Sequence, residues 1–204
     1  MIPNLYSEKC TGPLVRIPPS VIRRCEELPD YNITPLAGLL FYIPQLENVK
    51  TILEIGTGWC LSTIAFASAL DITDGRMLSI DTHNRSNILR NYPDLTPRIT
   101  QVVADSHNIE QCSNIISVNG FKTFDLIFID GDHTYEGVKK DFESFVPFLN
   151  PDGIVLMHDI ALTDPDKGVD SIDVDKFWDE LDETAYSKFP IYASSGLGLV
   201  RRRK

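Results

Sequence analysis

Two short segments, Asp130-Gly131-Asp132-His133 and His158-Asp159, carry side chains suited to moving a proton or holding a cation. Carboxylates and imidazoles exchange protons near neutral pH and ligate divalent ions. Three further acids, Glu54, Asp81 and Asp105, precede them, together with a glycine turn, Gly56-Thr57-Gly58. Glu54 lies within the first of five short apolar runs, and Asp81, Asp105, Asp130 and Asp159 follow the other four. The runs are Thr51–Ile55, Met77–Ile80, Ile99–Val103, Leu126–Ile129 and Ile154–Met157, all of strand length and rich in β-branched residues. Such a row suits a ligand that brings hydroxyl donors, a positive centre or a hard metal ion, and it repels bare phosphate. Any single acid here also fits a turn or a helix N-cap. Five at corresponding places favour one shared cleft.

The apolar runs alternate with helical patterns, which predicts a parallel sheet with its ligand outside the carboxyl ends of the strands. The clearest helix is predicted from Tyr135 to Leu149, where Val138, Phe142, Phe145 and Leu149 recur at helical spacing. Asn150, Pro151, Asp152 and Gly153 read as a turn into the next strand. Thr34–Leu46 reads as a helix disturbed at Pro44. Ile191–Ala193 and Leu197–Val200, separated by Ser194, Ser195 and Gly196, read as a terminal hairpin with one antiparallel strand. Phe177, Trp178 and Leu181 share a helical face and are expected in the core, and Tyr135 is expected to pack rather than react. The polar insert from Ala161 to Asp175 reads as a lid or a surface loop. A Pro-rich opening (Pro3, Pro13, Pro18, Pro19) gives an irregular arm over residues 1–33, followed by one domain over 34–204.

With 43% apolar and 24% charged residues among 204, the composition is that of a soluble globular protein. A net charge of -10 argues against a nucleic-acid surface, where phosphates need Lys and Arg, and favours a small-molecule partner. No run approaches the roughly 18 apolar residues of a membrane span, and no secretory leader is evident, so a cytoplasmic location is expected, with a homodimer as an open option. Cys10, Cys25, Cys60 and Cys112 form no C-x-x-C pair and are expected as reduced thiols. The closing Arg201, Arg202, Arg203 and Lys204 read as a solubilising tail.

A lone G-x-G fits many ligands. The dinucleotide fingerprint requires a third glycine at position 61, where Leu61 stands. The run Glu54-Ile55-Gly56-Thr57-Gly58 instead resembles the first motif of the class I S-adenosylmethionine-dependent methyltransferases, an acid followed by x-Gly-x-Gly. The resemblance implies an α/β, doubly wound, mostly parallel seven-stranded sheet of Rossmann-like type with an antiparallel C-terminal hairpin strand. It implies that the loop with Glu54, Gly56, Thr57, Gly58 and Ser62 holds the methionyl part of S-adenosylmethionine. It also implies that Asp81 binds the ribose hydroxyls, that Asp105 and Ser106 flank the adenine, and that Asp130 borders the cofactor.

The stretch from Phe124 to Ile160 is similar to small-molecule O-methyltransferases of the catechol and macrolide or sugar-modifying types. In their metal-dependent members, acids ending the fourth and fifth strands hold a divalent ion such as Mg. The resemblance therefore implies Asp130 and Asp159 as ligands, with His158 or Ile160 at a neighbouring position where relatives have Asp or Asn. Asp132 matches the general base proposed for the sugar-modifying relatives, and His133 is the alternative. An alcohol attacks a sulfonium methyl only as it loses its proton, so a metal or a base is needed there. The activity implied is methyl transfer to a hydroxyl of a small acceptor. A nicotinamide-dependent oxidoreductase shares the sheet and the second acid but lacks its third glycine here. Against a non-catalytic cofactor-binding module, Asp130, Asp132 and Asp159 are all acidic.

Overall fold

The computed structural model describes residues 19–28, 34–161 and 172–204. Leu, Ile and Phe on both faces of β1 (Thr51–Ile55) and β4 (Phe124–Ile129) make these strands buried on two sides, the pattern of a parallel sheet covered by helices. β2 (Arg76–Asp81) and β3 (Ile99–Val103) extend the sheet one way, and β5 (Leu149–His158) extends it the other. β6 (Tyr186–Ile191) and β7 (Leu197–Arg202) complete a seven-stranded order β3-β2-β1-β4-β5-β7-β6. β7 runs antiparallel to both neighbours, pairing Leu199 with Leu156 and with Phe189. The expected doubly wound sheet and its single antiparallel strand are both present.

Because strand side chains alternate between faces, the sheet feeds two cores. On one face, Ile52, Met77, Leu126, Phe128 and Leu156 pack with α1 (Pro19–Glu26), α2 (Ala37–Leu46) and α3 (Leu61–Thr73). On the other, Leu53, Ile55, Leu78, Ile127 and Met157 meet α5 (Ile109–Val118), α6 (Tyr135–Phe145) and α7 (Val174–Glu180). A short α4 (Ser86–Leu89) follows β2. Phe177, Trp178 and Leu181 are buried as expected.

Several boundaries differ from the sequence reading. α6 stops at Phe145 and gives way to a tight turn over Val146–Phe148, because Pro147 disfavours helix at the residue before it. Asn150–Gly153 do not form a separate turn. They are a bulge inside β5, where pairing jumps from Phe124↔Leu149 to Leu126↔Ile154 and Asn150 Nδ2 bonds Asp125 Oδ1 at 2.6 Å. α2 continues through Pro44, which is buried in its last turn. Within the arm expected over 1–33, α1 is helical and sends Val21 and Cys25 into the core. The basic end is not merely solubilising, since Arg202 donates to the carbonyls of Leu149 and Val146 and Arg201 pairs with Glu47. Residues 1–18, with Pro3, Cys10, Pro13 and Pro18, and most of the 161–175 insert lie outside the described residues. Cys25, Cys60 and Cys112 are free, buried thiols. Among the described residues no helix is long and apolar enough to cross a membrane.

Candidate active site

The chain leaves β1 through a turn that only glycine can make. Gly56 has φ +90°, and a Cβ there would lie 2.0 Å from the Asp130 carbonyl oxygen. This close approach joins the end of β1 to the end of β4. Past it, the amides of Thr57 and Gly58 donate to Asp81 Oδ2 at 2.9 and 3.0 Å, and the His83 amide donates to Oδ1 at 2.7 Å. Beneath the loop Glu54 is fully buried. It accepts from Ser62 Oγ and Thr63 Oγ1, both at 2.6 Å, and from Ser79 Oγ. Burial outweighs these three hydroxyl donors and pushes the Glu54 carboxyl up to about 7.

A cleft of about 460 Å³ opens above the carboxyl ends of β1, β2, β3 and β4, within the usual size of a ligand site. Among the residues singled out from sequence, Gly56, Gly58, Asp81, Asp105, Ser106, Asp130, Asp132 and His133 line it. Glu54, Thr57 and Ser62 do not. Their side chains are buried beneath the loop: Glu54 comes one place before the end of β1 and points inward, Ser62 bonds it from α3, and the Thr57 hydroxyl turns down to within 2.7 Å of that of Ser79.

At the far end, two histidines stand against two acids. His133 Nδ1 lies 2.7 Å from Asp159 Oδ2, and His158 Nδ1 lies 2.9 Å from Asp130 Oδ1. The hydrogen bond to Asp159 raises the His133 pKa above its ordinary value against the effect of burial. Burial pushes Asp159 up, but the bond from His133 and the charge of His158 outweigh it and hold the carboxyl below its ordinary value. Asp159 has φ +61°, a left-handed conformation that acidic and amide residues tolerate better than most.

Asp130, His133 and Asp159 each present a ligand atom within 4.8 Å of one another. Among the described residues this group takes in His133 and not His158, which was expected in it. As the last residue of β5, His158 is buried, with Nδ1 toward Asp130 and Nε2 3.1 Å from Ser195 Oγ. Asp132 turns toward α6: its Oδ1 accepts from the Thr134 amide at 2.9 Å, and a Cβ on Gly137 would lie 2.1 Å from its Cγ. Tyr135 packs edge-on against Phe177 and bonds Glu180.

Sequence reasoning missed four residues. Ser195 reaches His158 only through the pairing of β7 with β5, a long-range contact without a local signature. Asp141 is fully buried beneath Gly131, pushed up to about 6 by burial, and 3.6 Å from His107. It did leave a signal, since it falls on the apolar stripe Val138, Phe142 and Phe145 of α6. Arg85 and His107 line the cleft from loops whose reach no periodicity reveals.

A family model described as a methyltransferase domain matches residues 53–160, more than half of the chain. A 77-residue stretch is 38% identical to an uncharacterised Sinorhizobium fredii protein, y4gI; the match takes in 37% of this chain and only 8% of that protein's length. Among solved structures, the fold is similar to an O-methyltransferase from Bacillus cereus in complex with S-adenosylhomocysteine, with a TM-score of 0.71, 18% identity, and 93% of this chain and 94% of that one covered. It is also similar to TomG, a Streptomyces achromogenes O-methyltransferase of tomaymycin synthesis in complex with S-adenosylmethionine, with a TM-score of 0.67, 21% identity, and 94% and 92% covered. At these identities the structural likeness establishes the fold, while the family match runs from the first strand's Leu53 through both histidine-acid pairs to Ile160. The chain belongs to the methyltransferase-domain family.

Proposed function

We propose that this chain transfers the methyl group of S-adenosylmethionine to a hydroxyl of a small-molecule acceptor, with His133 as general base. The observation that carries the reading is a single cleft that joins the Gly56 turn and Asp81 to Asp130 and His133. The cofactors held by the Bacillus and Streptomyces structures support the same donor. In this reading the adenosine lies between Asp81 and Asp105, with the sulfonium directed toward the histidine-acid pairs. A dinucleotide oxidoreductase is disfavoured by Leu61 and by an antiparallel β7 inserted between β5 and β6, where that fold has a parallel sixth strand.

The His133–Asp159 pair supplies the proton chemistry. With Nδ1 engaged by Asp159, the ring is fixed in orientation and Nε2 is left to take the hydroxyl proton as the oxygen attacks. Alignment of oxygen, methyl carbon and sulfur supplies the remaining acceleration.

A second reading adds a divalent ion, which Asp130, His133 and Asp159 would hold. The fit rests on Asp159 Oδ1, which among the described residues is buried without a hydrogen bond and has the His158 ring at 3.2 Å. An imidazole in the set favours a transition ion over Mg. Such an ion would lower the pKa of the acceptor hydroxyl, leaving Asp132 to take the proton. A homodimer belongs to the same proposal: edge strand β6 exposes Phe189, with Tyr192 just beyond, and a light-scattering mass of one chain would remove it.

The test is release of S-adenosylhomocysteine from S-adenosylmethionine across a library of hydroxyl acceptors, with and without chelator. Turnover that survives chelation and is lost in His133→Ala supports the base. Turnover that chelation abolishes and a divalent ion restores, with Asp132→Asn inactive, supports the second reading. Tight NADH binding without any response to S-adenosylmethionine would overturn both.

A further inference from the structure

We infer that Arg85, steadied by Trp59, takes the carboxylate of the cofactor's methionyl tail. The inference rests on the S-adenosylmethionine reading above and gives its cleft a specificity-determining residue.

That tail carries one anion, and the cleft it enters is lined by Asp81, Asp105, Asp130 and Asp132. An anion brought among four carboxylates needs a cation or several amide donors. Many of the loop's donors are already engaged. The amides of Thr57 and Gly58 serve Asp81, the Gly56 amide serves the Ile80 carbonyl, and the Cys60 amide serves the Thr57 carbonyl. The hydroxyls of Ser62 and Thr63 serve Glu54. A glycine turn whose amides are committed to an internal acid is poorly equipped to hold a second one.

Among the described residues Arg85 is the one arginine or lysine lining this cleft. Its guanidinium lies over the half-exposed Trp59 ring, 5.6 Å from the centroid, at the tip of the same loop. Among the described residues no carboxylate lies within ion-pair distance of it, and its Nε is buried without a hydrogen-bond partner. Arg24, Arg98 and Arg201 differ, since each meets an acid. A buried donor left unpaired is costly, and an incoming carboxylate would offset that cost. The segment is also fixed in advance: the Arg85 amide donates to Gln101 Oε1 at 3.4 Å, and Gln101 Nε2 donates to the His83 carbonyl at 3.1 Å, tying it to β3. The fork geometry of a guanidinium suits a carboxylate held in two bonds.

Calorimetric titration of wild type and variants with S-adenosylhomocysteine and with 5′-methylthioadenosine tests this. The second ligand keeps the adenosine and sulfur but has no amino-acid tail. Arg85→Ala is expected to weaken S-adenosylhomocysteine by about tenfold or more and to leave 5′-methylthioadenosine within about twofold. Arg85→Lys, which keeps the charge but not the fork, should lose less, and Trp59→Leu should show a smaller loss confined to the same ligand. Should Arg85→Ala fail to fold, the Arg85→Lys and Trp59→Leu comparisons carry the test. An equal loss for both ligands, or no loss for S-adenosylhomocysteine, overturns the assignment. Wild type that binds neither ligand would instead refute the cofactor reading.

Discussion

Glu54 and Asp159 stand at matching places, one residue before the end of β1 and one beyond the end of β5, and both are buried, yet their surroundings drive them in opposite directions. Glu54 is met by three hydroxyls, which satisfy it without supplying charge, and burial pushes it up to about 7. Asp159 is equally removed from water, but imidazoles stand beside it and hold its carboxyl low. The contrast separates an acid that clamps the loop from one that, in the proposed reading, tunes a base. In the proposed reading it also sets apart an end that binds the cofactor from an end that moves the proton.

Gly56 links the two ends, so its loss has the largest expected effect. In Gly56→Ala the new Cβ meets the Asp130 carbonyl at 2.0 Å and the backbone is held at φ +90°. Backbone must move, at a cost of at least about 3 kcal/mol, and both cofactor binding and the placement of Asp130 should fail together. Thermal unfolding and S-adenosylhomocysteine titration would read this; near-normal values in both would show that the ends are not joined there.

Asp159→Asn attacks the charged end alone. Asn tolerates the left-handed backbone at φ +61°, so the fold should persist. The wild-type bond makes His133 keep its proton to higher pH, so the base form appears only as pH rises past a value above 6.5. Without that partner the rising limb of kcat should move to lower pH, and kcat should fall about 10²- to 10⁴-fold with cofactor affinity unchanged. A limb that stays in place would assign the base elsewhere.

The split between the two ends marks the limit of what could be read in the sequence. Strand-end acids were legible because short continuous apolar runs locate strand ends, and the sheet followed from the alternation of runs and helices. Which way each acid faces was not. Glu54 and Asp81 look alike as acids at the ends of consecutive strands, but Glu54 comes one place before the end of its strand and points inward, while Asp81 ends its strand and lines the cleft. His158 was likewise expected as a ligand, and its sequence position did not show that its Nε2 faces Ser195 in the turn between β6 and β7 while His133 comes beside Asp159. Pairings across distant strands decide such cases, and no window of neighbouring residues contains them.

At the rigid end, Glu54→Gln tests whether the clamp is neutral. Glu54 holds its proton more tightly folded than unfolded, so its contribution to stability is fully present below pH 4.5 and is lost as pH rises through about 7. The loss is up to roughly 3 kcal/mol. Gln has no charge to bury, so unfolding midpoints of the variant should decline less between pH 5 and 7 than those of wild type. Identical slopes would mean that the acid is already ionised in the folded chain at pH 5.

The smallest expected effect lies beside the base rather than on it. Thr134 caps α6, its hydroxyl accepting from the Gly137 amide at 3.0 Å, and its own amide holds Asp132. Thr134→Ala removes the cap but keeps the amide bond to Asp132, so the cost should be about 1 kcal/mol, a fall of roughly 2–4 °C in Tm. Thr134→Ser should restore it. Because Glu54 and the Gly56 turn take no part in this cap, the pH slope of stability and the S-adenosylhomocysteine affinity should match wild type, while kcat falls modestly as the His133 loop loosens. A change in cofactor affinity instead would mean that the α6 cap also organises the binding end, and that the two ends are coupled through Gly131, which separates Asp130 from Asp132, as well as through Gly56.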